Sequence, residues 1–188
     1  LSVKYEPSTC HIQNKNRTPI INFTPDSYIK FKDVIYELKK MTIHTPSMNT
    51  INGQHYDMEI LLYHCMNLSD CDSGGIIMSV FLNKGDANTD ANLFLSQFLN
   101  QIPSKETTIE KEIKVRDDWN ANLLFPNNKS FFYYDGSLPY PPCDEKWTWI
   151  IFEDIQTIDK TMFKTFELTF KDNNRPTQKL NKNKSKNN

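Results

Sequence analysis

The stretch from Asp33 to His64, DVIYELKKMTIHTPSMNTINGQHYDMEILLYH, decides how the chain is read. Asp33–His44 alternates apolar and polar residues, the pattern of a strand with one buried face. With a side-chain period of two, Val34, Tyr36, Leu38, Lys40, Thr42 and His44 fall on one face. That face is apolar at its start and polar at its end. A sheet that forms core at one end and the floor of a cleft at the other gives such a switch. Ser47–Gly53 carries Asn49, Asn52 and Gly53 and reads as a turn. Gln54–His64 is a second strand, and the short connection makes the two neighbours antiparallel.

Outward from this hairpin the chain reads as strands first, with few helices. Leu1–Tyr5 alternates, Gly75–Leu82 (GIIMSVFL) is a continuous apolar run that suits a central strand, and Lys146–Asp154 (KWTWIIFED) is another strand. Asp90–Ile102 is expected as a helix capped by Asp90, with Leu93, Phe94, Phe98 and Ile102 at helical spacing. Asp159–Phe166 is expected as a short helix with an Asp cap. No linker separates two domains, so residues 1–181 are read as one domain. The Lys/Asn-rich tail, 182–188, is expected to be disordered.

Lys and Arg total 22 and Asp and Glu total 23, a net charge of −1, which removes any overall electrostatic case for nucleic acid. No apolar run approaches the ~20 residues of a membrane span. The chain starts LSVKYEPST, neither a signal peptide nor a translation start, so it is read as processed or as part of a longer one. The four cysteines, Cys10, Cys65, Cys71 and Cys143, form no CxxC pair and allow three connectivities for two disulfides. Cys65 and Cys71, six apart across a loop, are the expected internal pair, with Cys10 left over. N-x-S/T sequons begin at Asn16, Asn22, Asn67, Asn128 and Asn183. Cysteines and sequons together point to the secretory pathway or the extracellular space. The acidic pairs Asp117-Asp118 and Asp70/Asp72 read as solvated loops. Ser73-Gly-Gly75 lacks the context of a phosphate loop, and no Ser/His/Asp arrangement emerges.

Four segments in order resemble the α-type carbonic anhydrases. His44-Thr-Pro-Ser47 followed by Thr50-Ile-Asn-Gly53 is similar to their H-T-P-S-E-H-T-I-N-G. Tyr56–His64 resembles Y-x-x-E-x-H-L-V-H. Gly136-Ser-Leu-Pro-Tyr-Pro-Pro-Cys143 with Glu145, Thr148 and Trp149 resembles G-S-L-T-T-P-P-C-x-E-x-x-T-W. Asn174–Asn181 (NRPTQKLN) resembles N-x-R-P-x-Q-x-L-N. The resemblance implies a mostly β fold with a large central, mostly antiparallel sheet and a few surface helices. It also implies that roughly the first fifth of the family's length has no counterpart here. Cys143 stands where secreted members bond a cysteine near their N-terminus. The implied reaction is reversible CO2 hydration to bicarbonate, with zinc on three histidines and a bound water whose pKa falls to about 7.

At the metal the sequence departs from that pattern. The family's F-H-F-H is Met41-Thr42-Ile43-His44, so Thr42 takes the first ligand position and His44 alone is retained. The third ligand position is Leu61, which has no lone pair to give. Glu59, which in the family orients that third histidine, remains. Met48 and Asn49 replace the Glu and His of S-E-H. Pro139 replaces the threonine that bonds the zinc hydroxide, and Tyr140 the next one. Tyr63 takes the place of a pocket-wall valine and is expected to fill the CO2 site, while Ile77, Leu138 and Trp149 keep the rest of the wall. The family's proton-shuttle histidine falls near Arg17, which does not titrate at neutral pH. His64 reads as a structural core histidine, and His55 lies too far along the strand to reach the same ion. A parasite-type branch of the family replaces one ligand with Gln, but the nearest, Gln54, is as distant as His55. Zinc is therefore expected to bind weakly or not at all. The expected function is a carbonic-anhydrase-related domain, catalytically impaired, that binds a protein or glycan partner or acts as a scaffold. The alternative is an active zinc enzyme with non-standard ligands.

Overall fold

The computed structural model describes residues 1–67, 69, 71–178 and 185–187. Among the described residues, twelve strands form one sheet. In chain order they are β1 (Ser2–Lys4), β2 (Cys10–Lys15), β3 (Thr18–Asn22), β4 (Tyr28–Phe31), β5 (Val34–His44), β6 (Met58–Cys65), β7 (Gly75–Gly85), β8 (Thr107–Ile113), β9 (Phe131–Gly136), β10 (Trp147–Phe152), β11 (Gln156–Asp159) and β12 (Ser185–Asn187). The main path runs β12-β9-β10-β7-β6-β5-β3-β2-β8, with β4 on β5, β1 on β4 and β11 on β7. The pairings of β10 and β11 with β7 are parallel. The others are antiparallel, as expected.

β6 is buried along its whole length because the sheet is covered on both faces there. Its side chains divide by alternation. Ile60 and Leu62 enter a large core with Met41, Ile43, Met78 and Val80. Leu61, Tyr63 and Cys65 enter a smaller cluster on the opposite face.

The single face expected for β5 is not continuous. The register with β6 shifts between Leu38, which faces His64, and Lys40, which faces Tyr63. This bulge adds one residue and reverses the alternation. Leu38 therefore enters the large core beside Met41 and Ile43, whereas Thr42 and His44 line the other face. The second strand also starts later than expected, at Met58 rather than Gln54. Gln54 instead closes the turn through reciprocal backbone bonds with Ile51.

Helix α1 (Asp90–Ser96) is shorter than its apolar spacing predicts, and its cap is Thr89, whose hydroxyl accepts from the Asn92 N–H at 3.1 Å. The chain leaves helical geometry at Phe98 (φ −136°) and continues as a 3-10 turn, Leu99–Gln101. Leaving the helix lets both rings meet Trp119: Phe94 stacks on it at 4.8 Å and Phe98 meets it edge-on at 5.6 Å. Helix α2 (Lys160–Phe170) is capped by Asp159 as expected. It runs past Phe166 because Phe170 extends the buried stripe of Phe163 and Phe166.

Cys65 and Cys71 form a disulfide. Cys10 and Cys143 make no disulfide among the described residues, and burial pushes the Cys10 thiol up to about 12. The tail expected to be disordered, 182–188, lies outside the described residues except for Ser185–Asn187, which pair with β9.

The close approach of β6, β7 and β10 depends on Gly75. A Cβ there would run into the His64 carbonyl oxygen and come within 3.1 Å of the Trp147 ring. Gly75→Ala is therefore expected to cost more than about 4 kcal/mol in urea denaturation. Gly53→Ala, at φ +77° but with open space around it, is expected to cost only on the order of 1 kcal/mol. Equal costs would show that the three strands do not meet in this way.

Candidate functional site

The site forms where the polar end of β5 lies beside β6. Thr42 pairs with Leu61 and His44 with Glu59 across the two strands. Both histidine nitrogens are occupied. His44 Nδ1 lies 3.2 Å from the Asn173 carbonyl, which can only accept, so Nδ1 carries the hydrogen. Nε2 of the neutral ring must then accept, and the Thr42 hydroxyl donates to it at 2.8 Å. Burial pulls the His44 pKa down to about 4, against the opposing bond to Asn173, so the ring is neutral at pH 7. Asn173 also receives the Thr45 N–H on its Oδ1 and donates to the Ile43 carbonyl. Thr42, His44 and the 171–173 segment thus form one closed hydrogen-bonded unit.

Glu59 is fully buried and serves the turn rather than a ring. Its carboxylate accepts from the Met48 N–H at 2.6 Å, the Asn49 N–H at 2.9 Å, the Asn49 amide at 2.7 Å and the Ser79 hydroxyl. Tyr134 completes the set by donating to Asn49 Oδ1 at 2.9 Å. Burial raises the Glu59 pKa, and these donors oppose the rise.

The opposite wall is apolar. Leu61, Tyr63, Ile77, Leu138 and Trp149 pack into one cluster with Cys65 and Trp147. Tyr63 lies edge-on to Trp147 at 6.1 Å, with its hydroxyl 3.4 Å from Thr42 Oγ1. Burial raises the Tyr63 pKa above its ordinary value, so it stays protonated. At the mouth, Lys40 Nζ sits 5.1 Å from the Tyr63 ring centroid and 5.0 Å from that of Tyr140, and donates to Tyr140 Oη at 3.1 Å. Pro139 is half-buried between Leu138 and Tyr140 and offers no hydroxyl. Arg175 ties the closing segment to this loop through Ser137 Oγ at 3.3 Å and the Leu138 carbonyl at 3.2 Å.

The family model for eukaryotic-type carbonic anhydrase matches residues 1–187. The chain belongs to the carbonic anhydrase family. It is similar to a carbonic anhydrase of Nostoc sp., 29% identical over 181 residues, covering 96% of this chain and 65% of that protein. A carbonic anhydrase of Klebsiella pneumoniae is 30% identical over 145 residues, 77% of this chain and 54% of its own length. The chain thus spans less than two thirds of both relatives. Among solved structures, the α-carbonic anhydrase of Thermovibrio ammonificans, in complex with the inhibitor sulfanilamide, superposes with a TM-score of 0.85 at 27% identity, over 99% of this chain and 77% of that one.

Carbonic anhydrases are zinc-dependent, so the donor set here can be tested against zinc. Thr42, His44 and Leu61 stand together, but they supply one imidazole, one hydroxyl and no third donor. The imidazole nitrogen facing Thr42 already accepts its hydrogen bond. These residues do not fit a three-histidine zinc site. Among the described residues no group of three His, Cys, Asp or Glu side chains gathers. His64 is held by the Tyr5 hydroxyl at 2.6 Å and the Ile76 carbonyl at 3.3 Å, and His55 by the Ser47 carbonyl at 2.7 Å. Arg17 is spent on the Lys171 carbonyl at 2.9 Å.

Trp147 and Asn173 join the site without having been singled out by the sequence, and Lys40, placed on its face by alternation, had no role assigned there. Trp147 was legible only as a strand residue, although the pattern T-W places it two residues before Trp149, on the same face. Lys40 shares the face of Thr42 by alternation. Nothing local marks Asn173, which reaches the site from 129 residues away.

Proposed function

We propose that this chain is a carbonic-anhydrase-related domain that has lost CO2 hydration and acts as a binding or scaffold module toward a protein or glycan partner. The observation that carries the reading is the 2.8 Å bond between Thr42 and His44. It satisfies the single remaining imidazole internally, beside a leucine at the third position. Two further features support it. Tyr63 and Trp147 fill the apolar wall where a small substrate would need space, and Pro139 has no hydroxyl with which to orient a nucleophile. The Cys65–Cys71 disulfide is compatible with a secretory or extracellular location. Among the described residues no helix is long and apolar enough to cross a membrane.

In stopped-flow assays the purified protein is expected to show no CO2 hydration above the buffer rate, with or without added zinc, and well under one zinc per chain after purification without chelators. A rate abolished by a chelator and restored by zinc would establish the alternative, an enzyme with unusual ligands. Against that alternative stand His55 and His64, both hydrogen-bonded elsewhere.

A further inference from the structure

We propose that Asn67 and Asn128 carry N-linked glycans. The sequence offers five sequons, and the fold sorts them. Asn183 lies outside the described residues. Asn22 sits on β3 between β2 and β5, opposite His11 on one side and Lys40 on the other. Its side-chain nitrogen donates to Glu110 at 2.7 Å. Asn22 is half-buried, and a sugar on that nitrogen would have to displace its side chain from the place it holds against Glu110. Asn16 is exposed, but Thr18, its hydroxyl partner in the sequon, is held in β3 opposite Lys15, and it is not assigned.

Asn67 and Asn128 share a different arrangement in two unrelated loops. Both are exposed. In each, Oδ1 accepts from the backbone N–H and the hydroxyl of the serine two residues on. The distances are 2.9 and 2.6 Å for Asn67 with Ser69, and 3.2 and 3.0 Å for Asn128 with Ser130. The carbonyl end of the amide is thus engaged in both residues. Asn128 Nδ2 makes one contact, 3.4 Å to the exposed Asp154. These bonds span two residues, so they can form in a nascent chain before the sheet assembles, and the finished fold leaves room for what is attached.

The donor would be a lipid-diphosphate-linked oligosaccharide. The amide nitrogen bonds to the anomeric carbon as the carbon–oxygen bond to the diphosphate breaks. The lipid diphosphate leaves with the electron pair, and one amide proton passes to a base of the transferase. Nothing is oxidised or reduced. The inference rests on the secretory placement proposed above. Asn67 lies inside the loop closed by Cys65 and Cys71, so one non-reduced peptide reports both.

The test is to isolate the protein from its own cells, digest it without reduction and treat the peptides with peptide N-glycosidase in heavy-oxygen water. The Asn67 and Asn128 peptides are expected to convert to labelled aspartate, and the Asn22 peptide to stay unmodified. Asn67→Gln and Asn128→Gln are each expected to remove the mass of one glycan. Unmodified Asn67 and Asn128 in a protein with Cys65–Cys71 oxidised would overturn the glycan assignment and leave the secretory reading standing. Unmodified asparagines with both thiols reduced would overturn both. A glycan on Asn22 would refute the sorting by side-chain engagement.

Discussion

The double substitution Thr42→His/Leu61→His is expected to bind zinc at least about 100-fold more tightly than the parent. Thr42 and Leu61 face each other across β5 and β6, and His44 lies on the Thr42 face within hydrogen-bond reach of it. Removing the Thr42 hydroxyl frees His44 Nε2, and two added imidazoles complete the three-nitrogen set. The affinity should stay below that of an evolved site for a reason visible in the structure. Glu59 is held by four donors from Met48, Asn49 and Ser79, so it is not free to orient a new ring, and loss of such a partner typically costs about 10–100-fold. Space is the second constraint, because the Tyr63 hydroxyl lies 3.4 Å from Thr42 Oγ1. Adding Tyr63→Val should therefore tighten zinc further. CO2 hydration should remain low until Pro139→Thr is included. Isothermal titration on parent, double and triple variants, each checked for folding, decides the matter. A folded double variant that binds no more zinc than the parent would show that the three positions do not converge.

How much of this was legible in sequence depended on the range of the interactions. The pairing of β5 with β6 followed from alternation and a short turn, both local. So did α2 with its Asp159 cap, and the Cys65–Cys71 pair across six residues. The bulge between Leu38 and Lys40 was not legible, because its cause is not in β5 itself. It lets Leu38 join the large core while Lys40 reaches the Tyr63 and Tyr140 rings. The early end of α1 was hidden for a related reason. Phe94, Phe98 and Ile102 keep helical spacing in sequence, but Trp119 takes both phenylalanine rings and draws Phe98 out of helical geometry. β2, β3, β4, β8, β9 and β11 are short or partly exposed, with too little apolar periodicity to stand out.

The same division runs through the site. Side-chain identity at Thr42, His44, Leu61 and Pro139 was readable one residue at a time. What each does instead was not. Glu59 looked like a leftover orienter, whereas the structure commits it to the Met48–Asn49 turn. That role depends on Ser79 from β7 and Tyr134 from β9, brought in by a sheet whose strand order no local pattern contains.

Acid is expected to unfold this protein with His64 as a principal cause. The ring is fully buried on the large-core face, with the Tyr5 hydroxyl at Nε2 and the Ile76 carbonyl at Nδ1. Burial lowers its pKa to about 3, only partly offset by backbone carbonyls. The sign follows from the two states. Above about pH 6.5 the ring is neutral in both, and His64 has no effect on the pH dependence. Below that, the unfolded chain takes up a proton that the folded chain refuses until about pH 3. Stability is therefore lost as pH falls through this window, at about 1.4 kcal/mol per pH unit. His44, lowered to about 4, acts in the same direction. Glu59, with its raised pKa, acts in the opposite one, since it takes up its proton more readily folded than unfolded. The difference between the parent and His64→Gln isolates one ring, because the other groups are common to both. Between pH 7 and 4.5 the parent is expected to lose roughly 3 kcal/mol more than His64→Gln in urea titrations. Parallel losses in the two proteins would mean that His64 already titrates normally in the folded state, and that the core around Tyr5 admits a charge.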